Sequence, residues 1–230
     1  MKLFAKTLAA ASLAAMTLAA APASAQVEGR IATINAPLAV INTEALKTAY
    51  EQINTTYKQQ LDQMQTLNTE SQTLLKQLDK NNDGQLDEAE QTAAQGTSQA
   101  TRLQAIEQQM GQLSNQVEGA RIYAVEQIMA QYGASLEQVV TSQNIKVVLT
   151  PDAVIYVPQE ANITGQVTTA LNSKVPSVAI VPPQGWQPRR QSVGMYQQIT
   201  QAINTIAAMA AQQQAAQAQQ QGNTQAPAGR

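Results

Sequence analysis

The stretch DKNNDGQLDEAE, from Asp79 to Glu90, is a strong turn signal between two long helical patterns. Asn, Asp and Gly favour turns and helix ends. Residues 44–78 contain no Gly or Pro, and their apolar side chains recur at steps of three and four. This spacing predicts an amphipathic helix. A second long helix is predicted for residues 88–142, weakened locally by Gly96 and Gly111.

The second helical pattern contains a heptad repeat, which is the spacing of a coiled-coil seam. Its apolar positions are Leu103, Ile106, Met110, Leu113, Val117, Ala120 and Ala124. The first helix has a thinner stripe, which we expect Asn68 and Ser71 to interrupt. Two long helices with a short connection fold back on each other. Residues 44–143 are therefore predicted to form an antiparallel hairpin arm with a tip loop at 79–90.

Short apolar segments on both sides of the arm predict a small β body, formed by residues 26–43 and 144–181. Three segments rich in β-branched residues are expected to be its strands: Leu38–Asn42, Ile145–Thr150 and Ala153–Val157. The last two predict a β-hairpin around Pro151. Weaker strand candidates are Ile31–Ile34 and Val178–Val181. A short helix is predicted for Gly165–Asn172.

A sheet of three strands leaves open edges, so the body is expected to need a partner surface. Symmetric self-association supplies one most simply. The predicted fold class is α+β and mostly helical, with the coiled-coil arm projecting from a β body that self-associates. The residues predicted to take part in self-association are Val40, Ile41, Val147, Val148, Val154 and Ile155.

The two ends of the chain differ from its middle. Residues 1–25 have two lysines, an Ala/Leu-rich core and Ala23-Ser24-Ala25, which indicates a cleaved signal peptide; a retained anchor is the alternative. No other segment is apolar enough to span a membrane. Residues 182–211 are expected to form a Pro-rich arm and a C-terminal helix. The Gln/Ala-rich residues 212–230 are expected to be a disordered tail.

Composition excludes several classes of protein. The chain has no Cys and no His, which removes thiolate metal sites, zinc enzymes and histidine-dependent hydrolases. No catalytic constellation is recognisable, so we do not expect an enzyme. Loss of Lys2 and Lys6 with the leader changes the formal net charge from −2 to −4. This acidic balance argues against a nucleic-acid partner.

Two segments carry a resemblance to a known family. They are LAVINTEALKTAYEQINTTYKQQL, beginning at Leu38, and LEQVVTSQNIKVVLTPDAVIYVPQEANITGQVTTALN, beginning at Leu136. Their order resembles the OmpH family of periplasmic chaperones from about Ala36 to Lys174. Members of that family are typically basic, whereas this chain is acidic. The last 50 or so residues have no counterpart in the family.

The resemblance implies a periplasmic homotrimer whose three arms surround a cavity. Family members hold unfolded outer-membrane proteins there, without ATP, and prevent their aggregation. The flexible side chains of Met64 and Met110 are candidates for client contact. Ordinary packing within the hairpin seam is the alternative for both methionines.

The tip loop also matches the twelve-residue calcium-binding signature. Its predicted ligands are Asp79, Asn81, Asp83, Gln85 through its carbonyl, Asp87 and Glu90, with Gly84 at the sharp turn. One weakly bound calcium ion is therefore a candidate cofactor. A plain polar turn is the structural alternative. The corresponding alternative function is a calcium-responsive, structural coiled-coil protein of the cell envelope.

Overall fold

The computed structural model describes residues 29–223. The predicted signal peptide, residues 1–25, lies outside them. The elements run in the order β1 (Arg30–Thr33), α1 (Ala36–Ile41), α2 (Glu44–Thr56), α3 (Lys58–Leu78), α4 (Glu88–Ala94), α5 (Ser98–Ser142), β2 (Ile145–Leu149), α6 (Thr164–Lys174) and α7 (Arg190–Asn223). Two 3-10 turns, Pro151–Ala153 and Gln159–Ala161, lie between β2 and α6. The predicted mostly helical chain with a small sheet is confirmed.

The arm is a hairpin in which α2 and α3 pack against α5, and α4 forms part of the tip. Each predicted long helix is divided in two. The first is interrupted at Tyr57, whose backbone leaves the helical region. The second is interrupted at Gly96, which has a φ of +75°. Thr97 then begins α5 by accepting a hydrogen bond from the Ala100 N–H.

The spacing of buried residues along α2 and α3 is more regular than the sequence predicted. Every fourth and third residue is turned away from solvent: Leu46, Tyr50, Ile53, Tyr57, Gln60, Met64, Leu67, Ser71, Leu74 and Leu78. This is a continuous heptad repeat. The predicted interruption at Asn68 is wrong, because Asn68 is exposed and its neighbour Leu67 occupies the seam. Gln60 and Ser71 are the polar seam residues.

The strand predicted for Leu38–Asn42 is wrong, because these residues lie in and just after the short helix α1. The side chain of Asn35 accepts a hydrogen bond from the Leu38 N–H at 2.9 Å, and Pro37 lies in the first turn. Asn as an N-cap followed by an early Pro is a helix-start signal. That local signal overrides the β-branched composition.

The sheet has two strands in the described part of the chain, and they run parallel. The strand predicted at Ile145–Thr150 is confirmed as β2, and the weaker candidate Ile31–Ile34 corresponds to β1. The strand predicted at Ala153–Val157, and with it the β-hairpin, is wrong. A 3-10 turn begins at Pro151, soon after β2 ends, and no strand within residues 29–223 pairs with this segment.

The body has a contiguous core to which α1, α2, α5, α6 and α7 contribute. Its most deeply buried side chains are Val40, Val125, Ile128, Ile163, Val167, Leu171 and Ile199. The predicted short helix at Gly165–Asn172 is confirmed as α6. The Thr168 hydroxyl of α6 donates to the Ala39 carbonyl oxygen at 3.0 Å, which joins α6 to α1.

The C-terminal part is more ordered than predicted. The predicted C-terminal helix is present but longer, because α7 continues to Asn223. The predicted disorder is therefore wrong for residues 212–223, and residues 224–230 lie outside the described part. Val178–Val181 does not form a strand. Among residues 29–223, no helix combines the length and apolar character needed to span a membrane.

Candidate functional site

The tip loop connects the end of α3 to the start of α4 by a tight turn. Asp79 follows the last residue of α3, and its Oδ2 accepts a hydrogen bond from the Gly84 N–H at 2.9 Å. Asn82 and Gly84 have φ values of +60° and +85°. Asn and Gly tolerate this left-handed region better than other residues. The residues of the signature therefore close the turn.

Glu90 fixes the tip from inside and is only 8% exposed. Its Oε1 accepts from the N–H groups of Lys80 at 2.6 Å and Asn81 at 3.0 Å. Its Oε2 accepts from the Asp87 N–H at 3.2 Å, while Asp87 Oδ1 accepts from the Glu90 N–H at 2.9 Å. The last two bonds form a capping box at the start of α4.

The structure brings the predicted calcium ligands into one hydrogen-bonded loop. The Asn81 amide donates to Asp83 Oδ2 at 3.1 Å and to Asp87 Oδ2 at 3.3 Å. Asp83 Oδ1 accepts from the Gln85 N–H at 2.8 Å. Within the described residues, no group of three acidic side chains converges closely enough to hold a metal ion. N–H donors engage these carboxylates instead, and calcium binding stays a prediction.

The hairpin interior contains Met64 and Met110, the candidate client contacts. Both side chains are half-buried and pack against the buried residues Leu67, Ile106 and Leu113. Both methionines therefore take part in ordinary seam packing, which was the alternative to client contact. Client contact by their remaining exposed surface stays a prediction.

Two polar contacts join the helices of the arm, one nearer the tip and one nearer the body. Arg102 on α5 forms two hydrogen bonds with Glu70 on α3, at 2.6 and 2.8 Å. These bonds lower the pKa of the Glu70 carboxyl. Nearer the body, the Arg121 guanidinium lies 5.8 Å from the centre of the Tyr50 ring. Burial, together with the nearby Tyr196, raises the pKa of Tyr50 to about 12, although Arg121 acts in the opposite direction.

The residues predicted for self-association are not on one surface of the single chain. Val40 is completely buried in the core of its own chain, and Ile41 packs against that core. Val147, Val148 and Val154 are half-buried. Ile155 is fully exposed. Two large apolar residues that were not predicted from the sequence to take part are also exposed: Tyr156, at 84%, and Ile31, at 57%. The participation of these residues in self-association stays a prediction.

Comparison with known proteins identifies the family of this chain. The family described as "Outer membrane protein (OmpH-like)" matches residues 30–171, which is more than half of the chain. The protein belongs to the OmpH-like family. This confirms the resemblance drawn from the sequence.

Among solved structures, the OmpH-like chain is similar to a protein from Caulobacter crescentus CB15 described as an outer membrane chaperone (OmpH-like). The sequences are 22% identical, and the TM-score is 0.44. The similarity covers 67% of this chain and 90% of that one. No curated protein matches the chain.

Beyond the family match, residues 178–192 form a strap that runs along α5 into the start of α7. Gln127 of α5 accepts from the Ala179 N–H at 3.0 Å and donates to the Ala179 carbonyl oxygen at 2.8 Å. Glu126, the preceding residue, accepts from Trp186 Nε1 at 3.2 Å and from the Arg189 N–H at 3.0 Å. The Trp186 ring packs edge-on against Tyr123, with centroids 5.2 Å apart.

Glu126, Gln127 and the role of Trp186 were not predicted from the sequence. Glu126 lies outside the apolar heptad positions of α5, so spacing alone did not distinguish it. Its environment does. Burial, the largest influence, favours the neutral carboxyl, but hydrogen bonds from Arg189, Trp186 and Ser192, with the Arg189 charge, outweigh burial and lower the pKa of Glu126.

Proposed function

We propose that this OmpH-like protein is an ATP-independent holdase chaperone of the periplasm. In this proposal it binds unfolded outer-membrane proteins between helical arms and keeps them from aggregating. It acts as a homotrimer and not as an enzyme. The observation that supports this most is a long helical hairpin with a seam one layer thick, connected to a body that has its own core. The chain that contains it is a member of the OmpH-like family.

The arm suits a client without fixed structure. Helix α5 has 45 residues, which corresponds to a length of roughly 65 Å at 1.5 Å per residue. The arm seam holds only small buried clusters, and Met64 and Met110 keep part of their surface accessible. Flexible, polarizable methionine side chains adapt to different apolar partners. Such an arm offers many weak contacts rather than one shaped pocket.

The body suits self-association. Strand β2 pairs with β1 on one side, and no other strand of the described residues pairs with it. The loop after it exposes Ile155 and Tyr156. An open strand edge beside exposed large apolar side chains favours association with further copies. Several arms around a shared body would then enclose a client.

The chaperone proposal is tested with the chain from Gln26 onward and a urea-unfolded outer-membrane barrel protein diluted into buffer without ATP. We expect light scattering from the aggregating barrel to fall as the chain is added. The double substitution Met64→Gln and Met110→Gln should weaken this protection several-fold. The matched control changes the exposed neighbours Gln63→Asn and Gln112→Asn and should protect like the unchanged chain. Aggregation that is equal with and without the chain contradicts the proposal and leaves the structural envelope protein as the function.

Self-association is tested by multi-angle light scattering over a range of concentrations. We expect the mass of three chains. Tyr156→Asp puts a charge on an exposed apolar residue and should shift the mass toward a single chain, whereas Asp152→Asn, an exposed change in the same loop, should not. A monomer at all concentrations contradicts the trimer.

A further inference from the structure

The strap is fastened to α5 mainly at two consecutive residues. Gln127 holds Ala179, and Glu126 holds Trp186 and Arg189. Several side chains of the strap are exposed to solvent, although Val178 and Ile180 pack against the apolar core. Glu126 is the central group, because its side chain is only 12% exposed. Loss of this one carboxylate would leave the Trp186 and Arg189 N–H groups without their acceptor.

The helix that follows the strap is docked over its first part only. Ile199 is completely buried in the body core, and Met195 and Tyr196 pack beside it. After that point the large apolar side chains of α7 are exposed: Ile203 by 36%, Ile206 by 50% and Met209 by 57%. About ten residues of a 34-residue helix therefore hold it to the body. A unit with so few buried contacts opens at a lower free energy than the whole molecule.

We propose that the strap is a releasable latch, with the Glu126 carboxylate as the group that closes it. In the closed state, α7 covers the part of the body core that receives Ile199. In the open state, residues 178–223 detach as a unit, while the hairpin and the rest of the body stay folded. The latch therefore controls whether Ile199 and the apolar surface beneath it are accessible. This device stands apart from the proposed holdase activity, because it is defined by contacts within one chain.

Trp186 reports on the latch directly, because it is the only tryptophan of the chain. The experiment compares the unchanged chain with Glu126→Ala. We expect the Trp186 emission to move to longer wavelength and its quenching by acrylamide to increase at least about twofold. Hydrogen exchange at residues 190–199 should accelerate on the order of tenfold or more, because the substitution removes the charged acceptor of two hydrogen bonds. Exchange in residues 44–78 and 98–142 should not change.

Two further variants make the test specific. Arg189→Pro removes the N–H that donates a hydrogen bond to Glu126 and keeps the carboxylate. It should therefore increase Trp186 quenching and hydrogen exchange as Glu126→Ala does. Glu137→Ala removes an exposed carboxylate of the same helix and should leave both readouts unchanged. The proposal is overturned if Glu126→Ala and Arg189→Pro leave quenching and exchange as in the unchanged chain. It is also overturned if exchange accelerates equally in α5 and α7, because α7 would then belong to the same cooperative unit.

Discussion

The body and the arm use apolar residues in different ways. In the body, five helices surround one contiguous core, where Ile128 and Leu171 have no exposed surface. The arm has no comparable core. It has two small clusters of three buried residues each: Ile53, Val117 and Ala120 near the body, and Leu67, Ile106 and Leu113 toward the tip. Resistance to unfolding is therefore concentrated at one end of the molecule.

Polar residues inside the arm seam widen this difference. Gln60 occupies a heptad position, and its Oε1 is buried without a hydrogen-bond partner among residues 29–223. Ser71 occupies another. A buried polar atom without a partner costs free energy. The arm is therefore expected to separate locally while the body stays intact, and substitutions in the two regions should differ in their effect.

The largest effect is expected from Ile128→Ala in the body. Shortening a fully buried Ile costs about 2–5 kcal/mol, because the surroundings collapse only partly into the cavity. Chemical denaturation should show this loss for the whole chain. Ile206→Ala, on the exposed part of α7, is the control and should change the unfolding free energy little. Similar losses for both variants would contradict the assignment of the core.

A smaller and local effect is expected from Leu67→Ala in the outer arm. Leu67 is 4% exposed, but its cluster is small and can collapse, so we expect a cost at the lower end of the range, about 2 kcal/mol. Hydrogen exchange should accelerate around Leu67 and Ile106 and not in α6. Leu75→Ala, at a position that is 41% exposed on the same helix, is the matched control. Faster exchange throughout the body would show that arm and body unfold together.

Gln60→Leu should stabilise the arm by about 1 kcal/mol, because it removes a buried unpaired oxygen and completes the apolar seam. Thermal unfolding and exchange of α3 measure the gain. Gln59→Leu changes an exposed neighbour and should not stabilise. A destabilising effect of Gln60→Leu would contradict the view that the unpaired Gln60 oxygen weakens the seam.

Calcium at the tip is expected to have a weak effect. With a dissociation constant near 1 mM, as in extracellular modules, 1 mM calcium would add only about 0.4 kcal/mol. Tip-specific NMR shifts should report binding at Asp79–Glu90. Asp83→Asn is the control, because it removes a predicted ligand charge while Glu90 keeps its capping contacts. Equal absence of response in both proteins would end the calcium prediction.

The smallest effect on global stability is expected from acid, through Glu126. Its pKa is lowered in the folded chain, so the stabilisation is fully present above the ordinary Glu pKa and is lost as pH falls through the folded value. Arg189 is the charged group that faces it from the strap, Tyr123 is the titratable neighbour on α5, and Ser192 faces it from α7. Trp186 quenching should rise as the pH falls from the ordinary Glu pKa toward the lowered pKa of Glu126 in the folded chain. Glu126→Gln should remove this dependence.

The arm could be predicted from the sequence because its signals are local and periodic. The heptad from Leu103 to Ala124 and the turn residues at the tip each specify their own geometry. Even the seam position of Leu67 was available, since it follows Met64 by three residues and precedes Ser71 by four. For the tip loop, the sequence predicted which residues form the candidate site but not how their side chains are arranged. The direction in which the carboxylate of Glu90 points depends on its capping partners.

The body was predicted less well because competing local signals determine the secondary structure of its segments. Leu38–Asn42 has the composition of a strand, but Asn35 and Pro37 start a helix there. Ala153–Val157 also has strand composition, but in the described part of the chain it pairs with no strand. Likewise, nothing in the spacing around Glu126 indicates a contact with Trp186, sixty residues away. Contacts of this kind depend on the path of the whole chain.

The parallel pairing of β1 with β2 has a consequence for the order of folding. The entire arm lies between these two strands in sequence, so the ladder from Arg30 to Ile145 closes a very long loop. Closing such a loop costs entropy before any contact compensates, and distant pairings form slowly. The helical hairpin can form from neighbouring residues while the first strand is still unpaired. A newly synthesised chain would thus acquire its arm early and complete its body last.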